Sequence, residues 1–270
     1  MLNTLPTETN ANTAKSAAED SFKKEFFQDL FNLESGNFWF RNRNKLIIWS
    51  IKKFFPSAKS LLEIGCGTGF VLSGIKKALP HLELCGSELF EDGLSFAQKR
   101  IPDAHLMQLD ARKLPFDERF DVIGAFDVIE HIEEDEEVLR ELYRACRQGI
   151  VLTVPQHKWL WSYLDEHSCH KRRYTRKELA EKVEAAGFTI KFATSFVSFL
   201  LPVMLMSRLR KKASEDFDVT AELKLPAFAN AILEKILQIE LLLIGKSISF
   251  PAGGSLLLIA TKSPRSGDAL

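Results

Sequence analysis

Residues 61–69 form a glycine-rich segment with the composition of a ligand-binding turn. The segment reads Leu-Leu-Glu-Ile-Gly-Cys-Gly-Thr-Gly, so an apolar run ends in glycines at alternate positions. The apolar run is typical of a buried strand, and the glycines allow the backbone to turn tightly into a helical pattern that begins at Phe70. Backbone amides at the start of a helix bind nucleotide phosphates and similar groups. The segment therefore predicts a nucleotide-like ligand that lies against bare backbone.

The spacing of these glycines argues against a dinucleotide ligand. The dinucleotide fingerprint G-x-G-x-x-G requires its third glycine at position 70, where this chain has Phe70. The pattern here is G-x-G-x-G, and an acidic residue, Glu63, lies two positions before its first glycine.

Acidic residues also follow the next two strand-like segments. Glu88 ends the second segment, and Asp110 follows the third. Because parallel strands end at one edge of a sheet, the carboxylates of Glu63, Glu88 and Asp110 would face a common ligand. An isolated acidic residue after a strand is more often a helix cap or a turn residue. The order and the intervals of the acidic residues are what favour a ligand site.

Together these residues resemble motif I and the following strand ends of class I S-adenosylmethionine (SAM) methyltransferases, over about Leu61–Thr261. The resemblance implies an α/β fold with a Rossmann-like, seven-stranded, mostly parallel sheet, helices on both faces and an antiparallel last strand. It also implies SAM as the cofactor and S-adenosylhomocysteine as the product. Glu63 would accept from the methionine amino group, Glu88 from the ribose hydroxyls and Asp110 from the adenine amino group. The expected cofactor-binding residues are Glu63, Gly65, Cys66, Gly67, Gly69, Glu88, Leu89, Asp110, Ala111 and Phe126. The chain departs from the family at 147–150, where a single glycine replaces Pro-Gly-Gly.

The segment Phe126-Asp127-Val128-Ile129-Glu130-His131 follows the fourth strand, on the edge where the transferable methyl group would point. Methyl transfer from a sulfonium is an in-line displacement, which requires alignment of the nucleophile and, for a hydroxyl acceptor, a base. His131 has a suitable ordinary pKa for that base, and Asp127 is suited to orient the acceptor or the methionine amino group. The alternative is that His131 only begins a helix and closes one wall of the pocket.

Asp127, Glu130 and His131 also resemble the D/E-x-x-E-H triplet with which some small-RNA and ubiquinone-pathway O-methyltransferases hold a divalent ion. A fourth ligand would come from His157, His167 or His170. Because the triplet also occurs in methyltransferases without a metal, we assign no metal to the site and keep the three residues as candidates.

Residues 155–174 form a second segment rich in chemically versatile side chains, directly after the fifth strand. The segment holds three histidines, two tryptophans, two tyrosines and two arginines. Such a composition suits a lid that stacks on an acceptor and pairs with anionic groups. Within it His157, His167 and Arg173 are the functional candidates, and His157 and His167 join Asp127 and His131 in the predicted catalytic set. The alternative is a capping loop whose tryptophans pack on the domain.

The composition of the whole chain limits its partners. The 270 residues include 36 basic and 36 acidic side chains, so the net charge gives no general attraction to nucleic acid or to an anionic membrane. The four cysteines form no C-x-x-C pair, which predicts reduced thiols in a cytoplasmic protein. Residues 1–20 lack the basic start and apolar core of a secretory signal, and no apolar stretch has the length of a transmembrane helix.

Apolar periodicity predicts two helices, 22–33 and 38–55, ahead of strands that alternate with helices. The predicted strands are 59–64, 82–87, 104–109, 120–126, 148–154, 188–194 and 255–261. The predicted helices among them are 69–79, 90–100, 138–146 and one that a Thr175–Glu178 capping box opens. We divide the chain into a disordered tail (1–20), a helical cover (21–57), a methyltransferase domain (58–262) with insertions at 155–174 and 196–250, and a second tail (263–270).

The insertion 196–250 contains an apolar segment (196–209), a basic run, a polar linker (213–225) and an amphipathic helix (226–246). The basic run consists of Arg208, Arg210, Lys211 and Lys212. An apolar segment beside basic residues favours a transient contact of 196–212 with a membrane surface. The alternative is that the insertion docks on the sheet.

We therefore predict a SAM-dependent methyltransferase that acts on a small-molecule, sugar-type or lipid-type acceptor at an oxygen atom. The resemblance includes the quinone-biosynthesis and sugar- or lipid-modifying methyltransferases of bacteria. An RNA or protein methyltransferase would need a contiguous basic face, which the short basic clusters do not favour. A non-catalytic SAM-binding protein is a further alternative. The sequence does not define the oligomeric state.

Overall fold

The structure of the protein is a computed structural model that describes residues 24–210 and 225–263. The predicted tail at 1–20 lies outside the described residues. So do nearly all of the predicted linker (213–225) and the second tail (263–270), together with Lys211 and Lys212 of the basic run.

Strands and helices alternate along most of the described chain. The strands are β1 (Ser60–Ile64), β2 (Glu83–Glu88), β3 (His105–Gln108), β4 (Phe120–Phe126), β5 (Cys146–Pro155), β6 (Phe188–Phe196) and β7 (Ser255–Lys262). The α-helices are α1 (Lys24–Leu33), α2 (Phe38–Phe54), α3 (Phe70–Ala78), α4 (Glu91–Arg100), α5 (Asp135–Ala145), α6 (Tyr163–His167), α7 (Arg176–Ala185), α8 (Leu201–Arg210) and α9 (Ala227–Gly245). Short 3-10 helices cover Ile129–His131 and Lys158–Leu160.

The predicted strands are confirmed, with differences of one or two residues at their ends. The predicted helix 138–146 begins earlier, at Asp135, because acidic residues enter its first turn, where the helix dipole favours negative charge. The predicted capping box is also confirmed. The Thr175 side chain accepts from the Glu178 backbone amide, and the Glu178 carboxylate accepts from the Thr175 amide at 2.9 Å.

The strands form one sheet in the order β3-β2-β1-β4-β5-β7-β6. The pairs from β3 to β5 are parallel, and β7 runs antiparallel to both of its neighbours. The predicted fold, with its antiparallel last strand, is confirmed. Open sheets of this kind bind ligands at the carboxyl ends of the strands where the strand order reverses. The order here reverses between β1 and β4, so this edge is where a site is expected.

Each face of the sheet buries an apolar core under helices. Leu61 packs into one core with side chains of α2, α3 and α9, and its neighbour Leu62 packs into the other with side chains of α5 and α7. Because both faces are buried, the central strands are apolar at successive positions instead of alternate ones.

Helix α9 packs on the domain through one of its faces. Leu237 and Ile244 are buried in the core that includes α2. Glu240 is also buried, and its carboxylate accepts from the backbone amides of Ser198 and Phe199, both at 3.0 Å, just before α8. The insertion is therefore docked on the domain at this inner face. Among the described residues, none of the helices combines the length and the apolarity needed to cross a bilayer.

A buried ionic network fixes the end of the segment 155–174. The carboxylate of Asp135 accepts from the Tyr174 hydroxyl at 2.7 Å and from the Lys182 ammonium on α7 at 2.6 Å, and it pairs with Arg172 at 3.1 Å. Burial alone would raise the pKa of Asp135, but hydrogen bonds from Lys182 and Tyr174 hold that pKa below its ordinary value. The network ties the segment 155–174 to both α5 and α7.

We expect Asp135→Asn to lower the free energy of unfolding at neutral pH by about 2–4 kcal/mol, because it leaves Lys182 and Arg172 without their buried counter-charge. A carboxyl group with a lowered pKa in the folded state stabilises the protein above its ordinary pKa, and this contribution is lost as the pH falls through the folded value. The difference between the variant and the wild type should therefore shrink below about pH 4. Urea unfolding at several pH values measures it.

The matched control is Asp103→Asn, since Asp103 pairs with Lys76 but its side chain is 83% exposed. This change should have little effect at either pH. An Asp135→Asn variant as stable as the wild type at pH 7 would contradict the structural role of the network.

Candidate active site

The glycine turn after β1 exposes its backbone at the sheet edge. Gly65, Gly67 and Gly69 all have positive φ, of 63°, 50° and 73°. A Cβ on Gly65 would lie 2.5 Å from the Val128 side chain, so only glycine fits there. A Cβ on Gly67 would meet no atom within 4 Å, which leaves room for a ligand against the turn. Cys66 lies between them, and its thiol is buried, which raises its pKa.

Glu88, at the end of β2, is held beside this turn by backbone amides. Its carboxylate accepts from the amides of Gly67 at 2.9 Å, Leu89 at 2.8 Å and Phe90 at 3.2 Å. Burial nevertheless raises the pKa of Glu88 above its ordinary value. The amides fix the carboxylate at the tip of β2, where the sequence places the group that accepts from the ribose.

Glu63, in β1, is a buried carboxyl group with an incomplete set of partners. Only 2% of the residue is exposed, and its Oε2 atom has no hydrogen-bond partner among the described residues. Burial raises the pKa of Glu63 to about 8, against the attraction of Arg43. A buried, unpaired acceptor of this kind is what a bound donor group would complete.

Arg43, on α2, lies at this sheet edge and is not among the site residues predicted from the sequence. Its guanidinium donates to the Phe126 carbonyl at 2.7 Å, pairs with Asp127 at 2.5 Å and lies 5.0 Å from the centre of the Trp39 ring. The Nε atom of Arg43 is buried and has no partner among the described residues. The spacing of Arg43 from the apolar residues of α2 is the sequence signal that places it on the inner face of the helix. Arg43 precedes Leu46 and Ile47 by three and four positions, on the apolar face of α2.

A second ionic cluster attaches the end of α1 to the glycine turn. The Glu34 carboxylate accepts from the Thr68 hydroxyl and from Arg100, both at 2.6 Å, and Arg100 also donates to the Thr68 carbonyl at 3.1 Å. Burial raises the pKa of Glu34, although Thr68 and Arg100 oppose this shift. The helices ahead of the sheet are therefore bonded to the turn itself.

Asp110, after β3, is engaged with a neighbour on the chain. Its carboxylate accepts from the Arg112 guanidinium at 2.7 Å and from the Arg112 amide at 2.9 Å. Burial would raise the pKa of Asp110, but Arg112 holds it below the ordinary value. Ala111 between them is buried. Asp110, the predicted acceptor for adenine, thus lies at the expected strand end. Its carboxylate already accepts hydrogen bonds from Arg112.

The motif after β4 separates into two groups of side chains. Asp127, with a positive φ of 56°, turns to Arg43 and to the Thr153 hydroxyl at 3.3 Å. Glu130, His131 and His170 each offer one ligand atom, and these atoms all lie within 4.8 Å of one another. Of the predicted triplet, the structure therefore groups Glu130 and His131 with His170 in place of Asp127. One carboxylate and two imidazoles form a donor set that divalent transition metals accept.

Burial changes the pKa values of Glu130 and His131. Both carboxyl oxygens of Glu130 are buried without a hydrogen-bond partner in the described chain. Burial and the charge of Asp127 raise the pKa of Glu130 well above its ordinary value. Burial and the nearby His170 lower the pKa of His131 to about 4. The intrinsic pKa that suits His131 to act as a base is therefore changed by its surroundings in the fold.

The segment 155–174 forms a rim with exposed aromatic rings. Trp159, Trp161 and Tyr163 are 57%, 38% and 47% exposed, so they do not pack into the domain. His157 has a positive φ of 63° and stacks on Trp159, with ring centres 4.9 Å apart. Burial and the charge of Arg173 lower the pKa of His157. His167 contacts the ring of Phe26 on α1, at 6.1 Å between ring centres.

Asp165 organises the inner side of this rim. Its buried carboxylate binds His170 Nδ1 at 2.9 Å and Arg173 Nε at 2.6 Å, and it accepts from the Ser162 amide. Burial would raise the pKa of Asp165, but His170 and Arg173 hold it well below the ordinary value. Arg173, a predicted anion-binding residue, therefore pairs with the buried Asp165 and donates to the Gln156 carbonyl.

Comparisons with known proteins agree with this geometry. A family model described as a methyltransferase domain matches residues 62–152, from β1 into β5. The chain is 38% identical over 84 residues to dTDP-3-amino-3,4,6-trideoxy-alpha-D-glucopyranose N,N-dimethyltransferase of Streptomyces venezuelae, which covers 31% of this chain and 35% of that protein. It is 33% identical over 91 residues to demethylmenaquinone methyltransferase of Thermotoga maritima, covering 33% of this chain and 40% of that protein.

The chain contains a class I SAM-dependent methyltransferase domain. The match spans less than half the length of these two relatives. Phosphoethanolamine N-methyltransferase 2 of Haemonchus contortus, solved in complex with SAM, has the same fold with a TM-score of 0.61. The two chains are 18% identical, over 92% of this chain and 59% of that one. The predicted family, fold and cofactor are confirmed at the level of the domain.

The residues of the methyltransferase domain fit SAM. Glu63 Oε2 is an unpaired buried acceptor and Arg43 Nε an unpaired buried donor. These two groups match the ammonium and the carboxylate at the amino-acid end of the cofactor. The Glu88 carboxylate could accept from ribose hydroxyls, and the open space at Gly67 leaves room for a ribose against the backbone. The individual contacts of the predicted cofactor-binding residues stay predictions.

The raised pKa of Glu63 gives a test of its contact with the ammonium group. At pH 7 a carboxyl group with a pKa of about 8 is mostly protonated, and an ammonium partner favours its ionised form. Cofactor binding should therefore release a proton, and the affinity should rise with pH toward 8. We expect Glu63→Gln to abolish this release and to weaken binding by about 1.5–3 kcal/mol. Titration calorimetry in buffers of different ionisation enthalpy measures both quantities.

Glu83→Gln is the matched control, since Glu83 lies at the opposite end of the neighbouring strand and pairs with Arg119 at 3.0 Å. It should bind SAM as the wild type does. Equal proton release by the Glu63→Gln variant would assign the proton to another group.

Proposed function

We propose that the protein is a SAM-dependent methyltransferase that transfers a methyl group to an oxygen atom of a small or amphiphilic acceptor. The observation that carries the proposal is the pair of buried carboxyl groups, Glu63 and Glu88, beside a turn of left-handed glycines. SAM, when bound, supplies an electrophilic methyl group on a sulfonium. The protein supplies the position of the acceptor and the base that removes its proton.

The residues around the glycine turn divide the binding of SAM among them. Glu63 accepts from the ammonium group of the methionine part of SAM. Arg43 donates through Nε to the carboxylate of that same methionine part. Glu88 accepts from the ribose hydroxyls, while the Gly67 amide keeps the carboxylate in place. Because Arg43 also holds the Phe126 carbonyl and Asp127, the cofactor and the strand end that faces the acceptor share one guanidinium.

The rim suits an acceptor with an apolar or ring-shaped part. Trp159, Trp161 and Tyr163 present exposed aromatic faces, which favour stacking on a sugar, a quinone-like ring or the body of an amphiphile. The two relatives reported above act, by their names, on a sugar nucleotide and on demethylmenaquinone. Both acceptor types fit such a rim.

The histidines favour oxygen over nitrogen as the methylated atom. A neutral amine attacks without prior loss of a proton, whereas a hydroxyl group needs a base. His157 has a lowered pKa, so it is neutral at pH 7, and its buried Nε2 has no hydrogen-bond partner among the described residues. We assign the base to His157 and a supporting role to the half-buried His131. The name of the Streptomyces relative, an N,N-dimethyltransferase, makes nitrogen the alternative.

The proposal is tested by incubation of the protein with methyl-labelled SAM and separate small-molecule, lipid, RNA and protein fractions. We expect label in the small-molecule or lipid fraction, in a product stable as a methyl ether or ester. Label only in RNA or protein would overturn the acceptor class. Binding of SAM without transfer to any fraction would support a non-catalytic role.

We expect His157→Asn to lower kcat by about 10²–10⁴-fold and to leave the affinity for SAM unchanged. A base works in its neutral form, so the wild-type rate should fall only as the pH drops through the lowered pKa, below about 6.5. That acidic limb should vanish in the variant. A pH profile of kcat with an identified acceptor measures it.

His81→Asn serves as the control, because His81 is exposed ahead of β2, at the far edge of the sheet. If His157→Asn keeps full activity while His131→Asn loses it, the base is His131. If neither change affects kcat, an acceptor nitrogen that needs no base is favoured.

A further inference from the structure

One face of α9 is apolar, exposed and free of negative charge. Phe228, Ile232, Ile239 and Leu242 are 78%, 44%, 54% and 69% exposed. At 100° per residue, these side chains and the exposed Lys235 fall within about 40° of one line along the helix. Lys246, directly after the helix, continues the same line and is also exposed. We call this set of six residues the outer face of α9.

The acidic residues of α9 lie on its inner side and are already bonded. Glu234 pairs with Arg41 at 2.6 Å and with Lys45 at 3.6 Å. Glu240 is buried, and its carboxylate accepts from the amides of Ser198 and Phe199. The helix thus directs its carboxylates into the protein and its lysines outward. This arrangement leaves the outer face apolar with positive charge alone.

Two described helices near α9 also expose apolar or basic side chains, and neither of them adds an acidic residue. On α8, Val203 and Met206 are 56% and 53% exposed. Lys45 and Lys53 lie on the adjacent α2, and both are exposed; Lys53 donates to the hydroxyl of Ser247, next to Lys246. Neither α2 nor α8 contains an acidic residue. Among the residues that the structure describes, this surface is therefore a local concentration of positive charge around apolar side chains, in a chain with no net charge.

We propose that the outer face of α9, together with α8, docks on the surface of a bilayer that contains anionic lipids. Apolar side chains on one side of a helix enter the boundary between headgroups and acyl chains, and adjacent lysines bind anionic headgroups. A bilayer supplies both features at once. A second copy of this chain would bring the same lysines together across a symmetric contact, which opposes pairing.

The start of α9 is bonded to the start of α2, the helix that carries Arg43. Asn230 accepts from the Phe38 amide at 2.9 Å and donates to the Gly36 carbonyl at 3.1 Å, so it fixes the first turn of α9 to the first turn of α2. Phe228 lies in that turn, and Arg43 lies on α2. An amphiphilic acceptor could then reach the site from the membrane surface. This consequence depends on the proposed function, whereas the docking itself does not.

The experiment is co-sedimentation of the protein with vesicles of phosphatidylcholine, alone or with about one-third phosphatidylglycerol, in the absence of SAM and acceptor. We expect binding to the anionic vesicles that is several-fold stronger than to the neutral ones and that weakens as salt is added. Ile239→Glu/Leu242→Glu should lower the partition coefficient about tenfold or more. Lys235→Glu/Lys246→Glu should remove the preference for anionic vesicles.

Two controls separate docking from unspecific effects. Lys77→Glu/Lys177→Glu carries the same change of charge at exposed positions on α3 and α7 and should bind as the wild type does. Ala231→Leu enlarges the exposed side of α9 and should increase binding to both kinds of vesicle. Circular dichroism and thermal unfolding of each variant show whether it is folded.

The proposal is overturned if the wild type does not bind anionic vesicles, or if the α9 variants bind as well as the wild type. A dimer in light scattering that Ile239→Glu/Leu242→Glu dissociates, without vesicle binding, would assign the face to self-association instead. The lysine variants should still methylate a water-soluble acceptor. Loss of vesicle binding with transfer retained would therefore concern the docking alone, and absence of transfer in every variant would concern the proposed function alone.

Discussion

A single buried guanidinium, that of Arg43, faces three buried carboxyl groups. Burial raises the pKa values of Glu34, Glu63 and Glu130, and the charge of Arg43 opposes the shift at each of them. Arg43 in turn is paired most closely with Asp127, at 2.5 Å. Arg100 pairs with Glu34, but Glu63 Oε2 and both carboxyl oxygens of Glu130 have no hydrogen-bond partner among the described residues, so the sheet edge contains acceptors that its cations do not satisfy. A cationic ligand supplies the missing charge, and SAM has both an ammonium and a sulfonium group.

The architecture around this edge follows from that shortage of positive charge. Arg43 is on α2, and Glu34 follows α1, so the helices ahead of the sheet supply both the cation and one of the buried acids. Glu34 is bonded to Thr68 inside the glycine turn, through Arg100 as well as directly. Movement of these helices would expose the turn and remove the counter-charge of Glu63 together. The same two helices, α1 and α2, therefore cover the site and determine its electrostatics.

The sequence predicts the strands, the glycine turn and the acidic strand ends because each depends on local pattern. Apolar runs define the strands, and glycine is required where φ is positive, as at Gly65. The sequence could not show which groups meet across distant elements. Arg43 and Asp127 are far apart along the chain. His170 joins Glu130 and His131 only because the segment 155–174 folds back against the 3-10 helix after β4, where the Lys171 amide donates to the Glu130 carbonyl at 2.8 Å. For the same reason the sequence could not show that contacts with distant elements lower the pKa of His131.

The net charge of the chain does not show how the fold distributes its acidic and basic groups. Equal numbers of acidic and basic residues predict no attraction to anions, yet the fold separates the two signs over a short distance. Carboxyl groups in excess are buried at the sheet edge, and on α9 the glutamates turn inward while Lys235 and Lys246 turn outward. Because screening limits exposed charges to about 10 Å, a ligand responds to the charges near it and not to the total. One neutral chain can therefore favour a cationic cofactor at one surface and an anionic partner at another.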